Sequence, residues 1–322
     1  MINKKALITG ISGQDALYLA RHLLMEGYLI SGTTRNLTSN KINKLSEMSI
    51  KEDIKIFSLD LIDKSKLEGI LKQEKFDEIY HLASQSSVGE SFMNPTDSIQ
   101  SSFNTTLNLL EAIKKFAPES KLYHAASSEC FGSFKSEINE STPFNPASPY
   151  GVGKAAAANL LKIYRDSYNL YLVNGFLFNH ESPFRSEKFV TQKIVSAAFR
   201  IANGSKEKLT LGDLNITRDW GWAPEYVCAM KLMLNNKHAS DFVIGTGKSY
   251  KLEEFVRLAF EYFDLNYKDY IEKAKFQFRP NDIKENYCCP KKANDQLGWK
   301  AKYSMPDVVK KLCEYKFKGK LN

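Results

Sequence analysis

The N-terminal segment combines a short apolar run, a glycine turn and a helical pattern, in an order that few folds accommodate. "KKALITG" predicts a buried strand that ends at Gly10. The next segment, "QDALYLARHLLMEGY", places Leu17, Ala20 and Leu24 at helical spacing before Gly27 ends the helix. Strand and helix patterns keep alternating after this unit, which predicts right-handed crossovers and a parallel sheet.

From about residue 180 the alternation weakens, and shorter patterns such as "KLTLG" and "DFVIGTG" follow. We therefore predict an α/β fold, in which a Rossmann-type doubly wound parallel sheet carries a smaller C-terminal α/β substrate lobe. The predicted boundary separates residues 1–178 from residues 179–322, and the second part is interleaved with late strands of the sheet. Ligands of such folds bind at the carboxyl ends of the strands, so residues that follow a strand are candidates for a site.

Composition disfavours several classes of protein. The 322 residues are 43% hydrophobic and 25% charged, which is typical of a globular chain. The net charge of +8 comes from scattered lysines without a nucleic-acid-binding signature, so we expect an anionic small molecule and no nucleic acid as partner. No apolar run approaches the roughly 18 residues of a membrane span, so we expect no membrane contact. Five cysteines without CxxC spacing predict no metal site and a reducing, cytoplasmic setting.

The glycine turn predicts a dinucleotide site, with a purely structural turn as the alternative. Gly10, Gly13 and Ala16 form a GxxGxxA pattern between the first strand and the first helix. Glycine lets the backbone approach a pyrophosphate, which then lies on helix N–H groups. This spacing is typical of short-chain dehydrogenases. The candidate cofactor residues of the turn are Gly10, Ser12, Gly13, Gln14 and Asp15.

The ends of the next strands indicate which dinucleotide is bound. "TTRNLTSNK" provides Arg35 where an acidic residue would select NAD, so NADP is favoured, unless Arg35 is only a solvated loop charge. Asp60 and Leu61 are placed to meet the adenine. Leu82, Ala83 and Gln85 of "LASQSS" are expected along the nicotinamide ribose.

Tyr150 and Lys154 are candidate catalytic residues. They stand four apart at the start of a predicted helix, so both project from one face. A lysine cation near the phenol is expected to lower the tyrosine pKa, so that Tyr150 can take a proton from a sugar hydroxyl. Ser127 and Glu129 follow another strand, "KLYHAAS". A simple oxidoreductase needs no carboxylate there, so Glu129 indicates a second proton transfer.

Longer motifs resemble the GDP-mannose 4,6-dehydratase family of extended short-chain dehydrogenases/reductases. The similar segments are "LITGISGQD", "SSECFG", "SPYGVGK", "LFNHESPFRSEKFVTQKI" and "LTLGDLNITRDWGWAPEYV", with "FRP" and "QLGW" further on. The resemblance implies an NADP-binding domain in residues 1–178 and a lobe in 179–322 that binds mostly the GDP-sugar. It covers residues 5 to about 235 and is far more specific than the glycine turn or the Tyr–Lys pair.

The resemblance implies a redox-neutral reaction on a GDP-linked hexose. Tyr150 takes the proton of the 4-hydroxyl while a hydride passes to NADP, and the resulting ketone acidifies the proton on C5. Glu129 removes that proton, water leaves C6, and the hydride returns to C6. Ser127 stands where the family usually has threonine, and keeps the hydroxyl that holds the substrate. The product is a GDP-4-keto-6-deoxyhexose.

The resemblance also implies the residues that hold the nucleotide. His180 and Arg185 match positions beside the cofactor. The substrate residues implied by the matching motifs are Ser86, Asn179, Lys193, Arg218 and Arg279. An ion pair between Arg218 and Asp219 is the structural alternative for that arginine. Dimerisation through long helices near residues 100–116 and 150–168 would give a homodimer or homotetramer.

Some residues depart from the family pattern and leave the hexose open. They are Ala16, Asn36, Ser84, Ser87 and Phe184. The altered crevice could take GDP-mannose, GDP-N-acetylglucosamine or a GDP-heptose, and the loss of two loop arginines weakens the case for a tetramer. The alternative functions are a nucleotide-sugar 4-epimerase or reductase, which would not need Glu129, a UDP-glucuronate decarboxylase, and a cofactor-binding protein without catalysis.

Overall fold

The computed structural model describes residues 4–274 and 280–319. Its strands are β1 (Lys5–Thr9), β2 (Leu29–Thr34), β3 (Ile54–Ser58), β4 (Glu78–His81), β5 (Lys121–Ser127), β6 (Glu137–Ile138), β7 (Leu172–Leu177), β8 (Asn179–Glu181), β9 (Leu209–Leu211), β10 (Thr217–Trp222), β11 (Phe242–Ile244), β12 (Ser249–Lys251), β13 (Ile271–Lys273) and β14 (Tyr287–Cys288). Its α-helices are α1 (Gln14–Met25), α2 (Ser39–Glu47), α3 (Lys64–Gln73), α4 (Val88–Met93), α5 (Pro95–Ile99), α6 (Thr105–Phe116), α7 (Pro149–Tyr168), α8 (Val190–Ala202), α9 (Ala223–Asn235), α10 (Leu252–Glu261), α11 (Lys291–Leu297) and α12 (Met305–Lys318). A π-helical turn, Gln100–Asn104, joins α5 to α6.

Seven parallel strands form the central sheet, in the order β3-β2-β1-β4-β5-β7-β11. The strand order reverses on either side of β1, because β2 lies on one side and β4 on the other. A crevice opens at the carboxyl ends of the strands at such a point, and this is where doubly wound folds bind ligands. The predicted fold class is confirmed.

Helices cover both faces of the sheet, so the central strands β1, β4 and β7 are buried almost throughout. Successive residues of β1 point to opposite faces: Ala6 and Ile8 pack with α1 and α9, whereas Leu7 packs with α3, α6 and α7. Both faces are therefore sealed from water, and only the ends of the strands are left to meet a ligand.

A second apolar cluster lies in the C-terminal half of the chain. Trp220 of β10 packs there with Phe255 of α10, Val195 of α8 and Leu312 of α12. The strand β10 pairs with β8 and β12, while β11 returns to the central sheet beside β7. The division after residue 178 remains a proposal: the cluster around Trp220 lies wholly beyond that residue, whereas α9 and β11, also beyond it, pack with the central sheet.

In the described ranges, no helix is long and apolar enough to cross a bilayer. The same residues contain no group of three or more His, Cys, Asp or Glu side chains arranged to hold a metal ion. All five cysteines are free thiols.

Candidate active site

A cavity of about 1910 Å³ lies between the carboxyl ends of the central strands and the C-terminal lobe. Ligand sites usually measure about 300–1,000 Å³, so this cavity has room for two ligands side by side. All candidates within the described residues line it: Gly10, Ser12, Gly13, Gln14, Asp15, Arg35, Asp60, Leu61, Leu82, Ala83, Gln85, Ser86, Ser127, Glu129, Tyr150, Lys154, Asn179, His180, Arg185, Lys193 and Arg218. Arg279 lies outside the described residues.

The turn between β1 and α1 depends on glycine for two reasons. Gly10 has φ +73°, and a Cβ there would lie 3.0 Å from the Cα of Ala83. The backbone N–H of Gly13, which directly precedes α1, donates to the carbonyl of Gly10 over 2.9 Å. The N-terminus of α1, with its exposed N–H groups and positive dipole end, thus borders the cavity, as an anion site requires.

Thr9 anchors the neighbouring loop, a role that sequence reasoning missed. Its Oγ1 accepts hydrogen bonds from the backbone N–H groups of Leu82 and Ala83, each over 3.0 Å. With both lone pairs used, the hydroxyl proton is donated to Nδ1 of His81, 3.0 Å away. The Nε2–H of His81 then donates to Thr106 Oγ1 over 3.1 Å. Burial lowers the pKa of His81 well below its ordinary value, so this link is neutral.

Three cations gather at the end of β2. Arg35 is exposed, and Lys41 and Lys44 of α2 line the same part of the cavity. Lys41 Nζ donates to Thr34 Oγ1 over 3.0 Å and to the carbonyl of Asn36 over 2.7 Å. Desolvation, with a contribution from Arg35, lowers the pKa of Lys41. Sequence reasoning found only Arg35, although two lysines three residues apart on the next helix were the available signal.

The start of α7 rests on the turn that carries Glu129. Ser148 caps the helix by accepting from the N–H of Gly151 over 3.1 Å, and Pro149 occupies the first turn. A Cβ on Gly151 would lie 2.7 Å from the carbonyl oxygen of Glu129. The helix that bears Tyr150 and the strand end that bears Glu129 are therefore in direct backbone contact.

The four candidate catalytic residues meet at this point. The Ser127 hydroxyl accepts from the backbone N–H of Glu129 over 3.2 Å, within a 3₁₀ turn. Glu129 is half-buried, and its carboxylate lies close enough to contribute to the raised pKa of Tyr150. Lys154 Nζ donates to the carbonyl of Ala125 over 2.8 Å and lies 6.0 Å from the centroid of the Tyr150 ring.

The sequence predicts that Lys154 lowers the pKa of Tyr150. With only the protein's own groups around the phenol, this prediction is wrong, because that pKa is raised. Tyr150 is only 8% exposed, and burial raises its pKa, although a hydrogen bond with Ser127 opposes the rise. Burial also lowers the pKa of Lys154 to about 8, which weakens the lysine as a source of positive charge. Desolvation is the largest cause of both shifts because both groups lie inside the protein.

An ion pair joins the cofactor turn to the C-terminal lobe. His180 of β8 donates from Nδ1 to the carbonyl of Phe178 and places Nε2 2.9 Å from Asp15 Oδ2 on α1. Burial favours the neutral imidazole, but Asp15 outweighs it and the pKa of His180 is raised. Arg185 pairs with Glu181 over 3.2 Å. The side chains of Asp15 and His180 thus bind one another at the cavity wall.

Arg218 is buried at the far end of the cavity, with 4% exposure. Its guanidinium donates to Asp282 Oδ1 over 3.2 Å and to the carbonyl of Ile283 over 2.5 Å. Asp219 instead accepts from the backbone N–H and the hydroxyl of Thr246. The alternative ion pair between Arg218 and Asp219 is therefore wrong, and the acidic partner is Asp282, 64 residues away in sequence.

The departures from the family pattern form their own contacts. The Ser84 hydroxyl lies 2.9 Å from the hydroxyl of Ser102 in the π-helical turn. Ser87 caps α4 by accepting from the N–H of Glu90 over 3.3 Å. Phe184 is buried against Tyr18, edge to face, with ring centroids 5.8 Å apart. The cavity wall is therefore polar near α4, where Ser84 and Ser87 lie, and apolar at Phe184.

The sheet, its glycine turn and the Tyr–Lys pair on α7 define a Rossmann-type protein of the short-chain dehydrogenase/reductase class. Solved structures share the fold: the dTDP-glucose 4,6-dehydratase of Bacillus anthracis with NAD has a TM-score of 0.86 at 20% identity, covering 98% of this chain and 97% of that one. The UDP-glucose 4-epimerase of Thermotoga maritima with UDP-glucose has a TM-score of 0.87 at 22% identity, covering 98% and 99%.

The family model for GDP-mannose 4,6 dehydratase matches residues 7–312, and the chain belongs to this family. GDP-mannose 4,6 dehydratase 1 of Arabidopsis thaliana is 40% identical over 321 residues, which cover 97% of this chain and 89% of the relative. GDP-mannose 4,6-dehydratase of Vibrio cholerae is 36% identical over 342 residues, which cover 95% and 92%. The family predicted from the motifs is confirmed, and with it the predicted GDP-sugar 4,6-dehydratase function; the epimerase resembles the chain only in fold.

Proposed function

We propose that this protein binds NADP and a GDP-linked hexose together and removes water from the hexose, leaving a GDP-4-keto-6-deoxyhexose. The observation that carries the proposal is the position of Glu129. Its carboxylate lines the same cavity as Tyr150 and approaches that phenol closely enough to influence its pKa. An acid and a phenol at one site provide the two proton transfers of an elimination that begins with oxidation of an alcohol.

Tyr150 and Ser127 act on the 4-hydroxyl in this proposal. The Ser127 hydroxyl would hold the hexose oxygen, and the Tyr150 oxygen would take its proton. When bound, oxidised NADP supplies a hydride acceptor and a positive charge that favours the phenolate of Tyr150. Lys154 is fixed by the carbonyl of Ala125 and completes the polar wall behind the phenol.

Glu129 acts on C5 and on the leaving group. The 4-ketone acidifies the C5 proton, so a carboxylate can remove it as a base. The same proton then passes from the Glu129 carboxyl to the departing 6-hydroxyl, which leaves as water. The Glu129 carboxylate is thereby regenerated. C6 of the resulting unsaturated ketone takes back the hydride, and the proton that Tyr150 took from the 4-hydroxyl returns to C5. The chain then ends the cycle in the state in which it began.

The cofactor half of the cavity fits NADP. The glycine turn and the N-terminus of α1 would take the pyrophosphate, and the loop anchored by Thr9 would meet the nicotinamide ribose. Arg35, Lys41 and Lys44 together provide positive charge for a 2′-phosphate, which supports NADP over NAD.

The other half of the cavity fits a nucleoside diphosphate-sugar. Asn179 and Arg218 would bind the diphosphate of GDP, with Lys193 near the nucleotide and Ser86 on the same cavity wall. The relatives are named for GDP-mannose, and we propose that sugar or a related GDP-hexose such as GDP-N-acetylglucosamine. Incubation with each GDP-sugar and NADP, followed by mass spectrometry, should show the loss of one water from one of them. Loss of water from none would contradict the proposal.

We also propose a homodimer or homotetramer in the cytoplasm. Val152 and Ile163 are exposed on α7, with 46% and 58% exposure, and would be covered by pairing of this helix with a second copy. Light scattering of the purified protein should give a mass of at least two chains, whereas a monomer would contradict the dimer.

A further inference from the structure

A second cavity, of about 710 Å³, lies between α1, α9, α12 and the segment 298–303. Among the described residues, its lining has no member in common with the active-site cavity. Its volume is within the range of small-molecule sites, about 300–1,000 Å³. The reaction proposed above uses none of its side chains.

Aromatic side chains form the walls of the second cavity. Trp222 and Trp299 are buried, while Tyr303 and Tyr315 are half-buried. The indole N–H of Trp299 donates to the carbonyl of Glu225 over 2.9 Å, so this wall is fixed. A fixed wall loses little conformational entropy when it receives a flat ligand.

Cations surround these rings. The charged lining residues are Arg21, Lys300, Lys302, Lys311 and Lys318, with Glu225 and Glu314 as the acidic ones. In the part of the chain that the structure describes, none of the five cations forms an ion pair. The Glu225 carboxylate accepts instead from the backbone N–H groups of Lys302 and Tyr303, over 2.9 and 3.2 Å. Burial raises the pKa of Glu225, and the charges of Lys302 and Lys311 oppose that rise, so this carboxylate offsets part of their charge. With five cations and two carboxylates, the lining keeps a net positive charge for an anion.

Lys311 links the cationic and aromatic parts. Its Nζ lies 4.2 Å from the ring centroid of Tyr303 and 5.6 Å from that of Trp222. A half-buried ammonium group beside two rings suits a ligand that carries an anionic group next to a flat ring. A simple inorganic anion would contact only the lysines. An uncharged ring would contact only the aromatic walls.

We propose that the second cavity binds a nucleoside phosphate, with its phosphate oxygens against Lys311 and neighbouring cations and its base against the aromatic walls. Both parts of such a molecule find a matching surface within one cavity. A nucleoside monophosphate also fits the size of the cavity, whereas a folded partner would need a wider surface.

The test is a calorimetric titration of AMP, and separately of GMP, into the enzyme saturated with NADP and GDP, so that the active-site cavity is filled. We expect one further site per chain for at least one of the two. Lys311→Gln should weaken that binding at least 10-fold, and Lys302→Gln should weaken it less. Lys206→Gln, which removes the same charge from an exposed residue outside both cavities, should leave it unchanged.

Three outcomes would overturn the proposal: no additional site for AMP or GMP, binding that Lys311→Gln leaves intact, or inorganic phosphate binding as tightly as the nucleotides. If Lys311→Gln does not fold, Lys302→Gln takes its place in the test, and unchanged nucleotide binding by that variant would overturn the proposal. Turnover of Lys311→Gln without added nucleotide should match the unchanged enzyme. Since binding is read without turnover, a failure here is distinct from a failure of the dehydratase proposal.

Discussion

Gly151 allows the first turn of α7 to rest directly on the carbonyl oxygen of Glu129. A methyl group at position 151 would lie 2.7 Å from that oxygen, so Gly151→Ala must push the helix and the turn apart. We expect a loss of about 1–3 kcal/mol in the free energy of unfolding, as for other overpacked sites. Because Tyr150 and Glu129 move relative to each other, kcat should fall as well.

Gly69→Ala is the matched control for Gly151→Ala. Gly69 lies in α3, and no atom would come within 4 Å of its new methyl group. Alanine is a better helix former, so this variant should gain up to about 1 kcal/mol. Urea denaturation and steady-state kinetics measure both effects. Equal responses of the two variants would contradict the contact between Gly151 and Glu129.

Glu129→Gln should stop the elimination without preventing the first oxidation. The amide cannot accept the C5 proton, so we expect the dehydration rate to fall by about 10²–10⁴. Absorbance at 340 nm should show reduced cofactor accumulating with a 4-keto hexose. A 4-epimerase would keep most of its activity in this variant, and that result would favour the alternative.

Thr9→Val should loosen the loop that follows β4. The change leaves the N–H groups of Leu82 and Ala83 and the Nδ1 of His81 without their partner. We expect a loss of about 2–4 kcal/mol in stability, because each buried unsatisfied polar group costs about 1–3 kcal/mol. Thr9→Ser keeps the hydroxyl and should retain most of the NADPH affinity in a fluorescence titration. Similar affinities for the two variants would exclude the hydroxyl as the anchor.

Arg35→Ala should reduce the preference for NADP. We expect the affinity for NADPH to fall about 10-fold, equivalent to about 1.4 kcal/mol, while the affinity for NADH changes little. Lys41→Ala should have a smaller effect in the same direction. Parallel titrations with the two cofactors measure the ratio, and an equal loss for both would show that Arg35 does not meet the 2′-phosphate.

Lys154→Met should change how stability depends on pH. The pKa of Lys154 is lowered by burial from 10.5 to about 8, so between these values the unfolded chain binds a proton that the folded protein does not. Unfolding then takes up a proton, and the stability of the unchanged protein rises with pH across this window. Methionine has no proton to bind at this position, so the Lys154→Met variant lacks this contribution to the pH dependence of stability.

The stability of Lys154→Met relative to the unchanged protein should therefore decrease by about 1–2 kcal/mol between pH 7 and pH 9.5. Urea denaturation at the two pH values measures the change. Lys162→Met on the exposed face of the same helix should show no such dependence. A constant difference for Lys154→Met would mean that the lysine keeps its ordinary pKa in the folded protein.

Much of the fold and of the site could be predicted because their signals are local. The alternation of strands and helices and the four-residue spacing of Tyr150 and Lys154 lie within short segments. The residue after each parallel strand necessarily borders the crevice, so the candidates meet in one cavity. Their individual roles remain proposals.

Contacts between distant segments could not be predicted. The hydrogen bond from Thr9 to His81 spans 72 positions, and that from Arg218 to Asp282 spans 64. The pKa of Tyr150 is raised mainly by burial, which depends on the whole fold. The four-residue spacing of Tyr150 and Lys154 contains no information about that burial. Aromatic and cationic residues of the second cavity come from four separate segments and form no motif.

The ion pair between Asp15 and His180 joins the glycine turn to the C-terminal lobe. Asp15 belongs to α1, which follows the glycine turn, and His180 belongs to β8, which pairs with β10 of the lobe. A lobe that swings away must break this charged contact. The ion pair therefore favours the arrangement in which the glycine turn and the lobe stay together around the cavity.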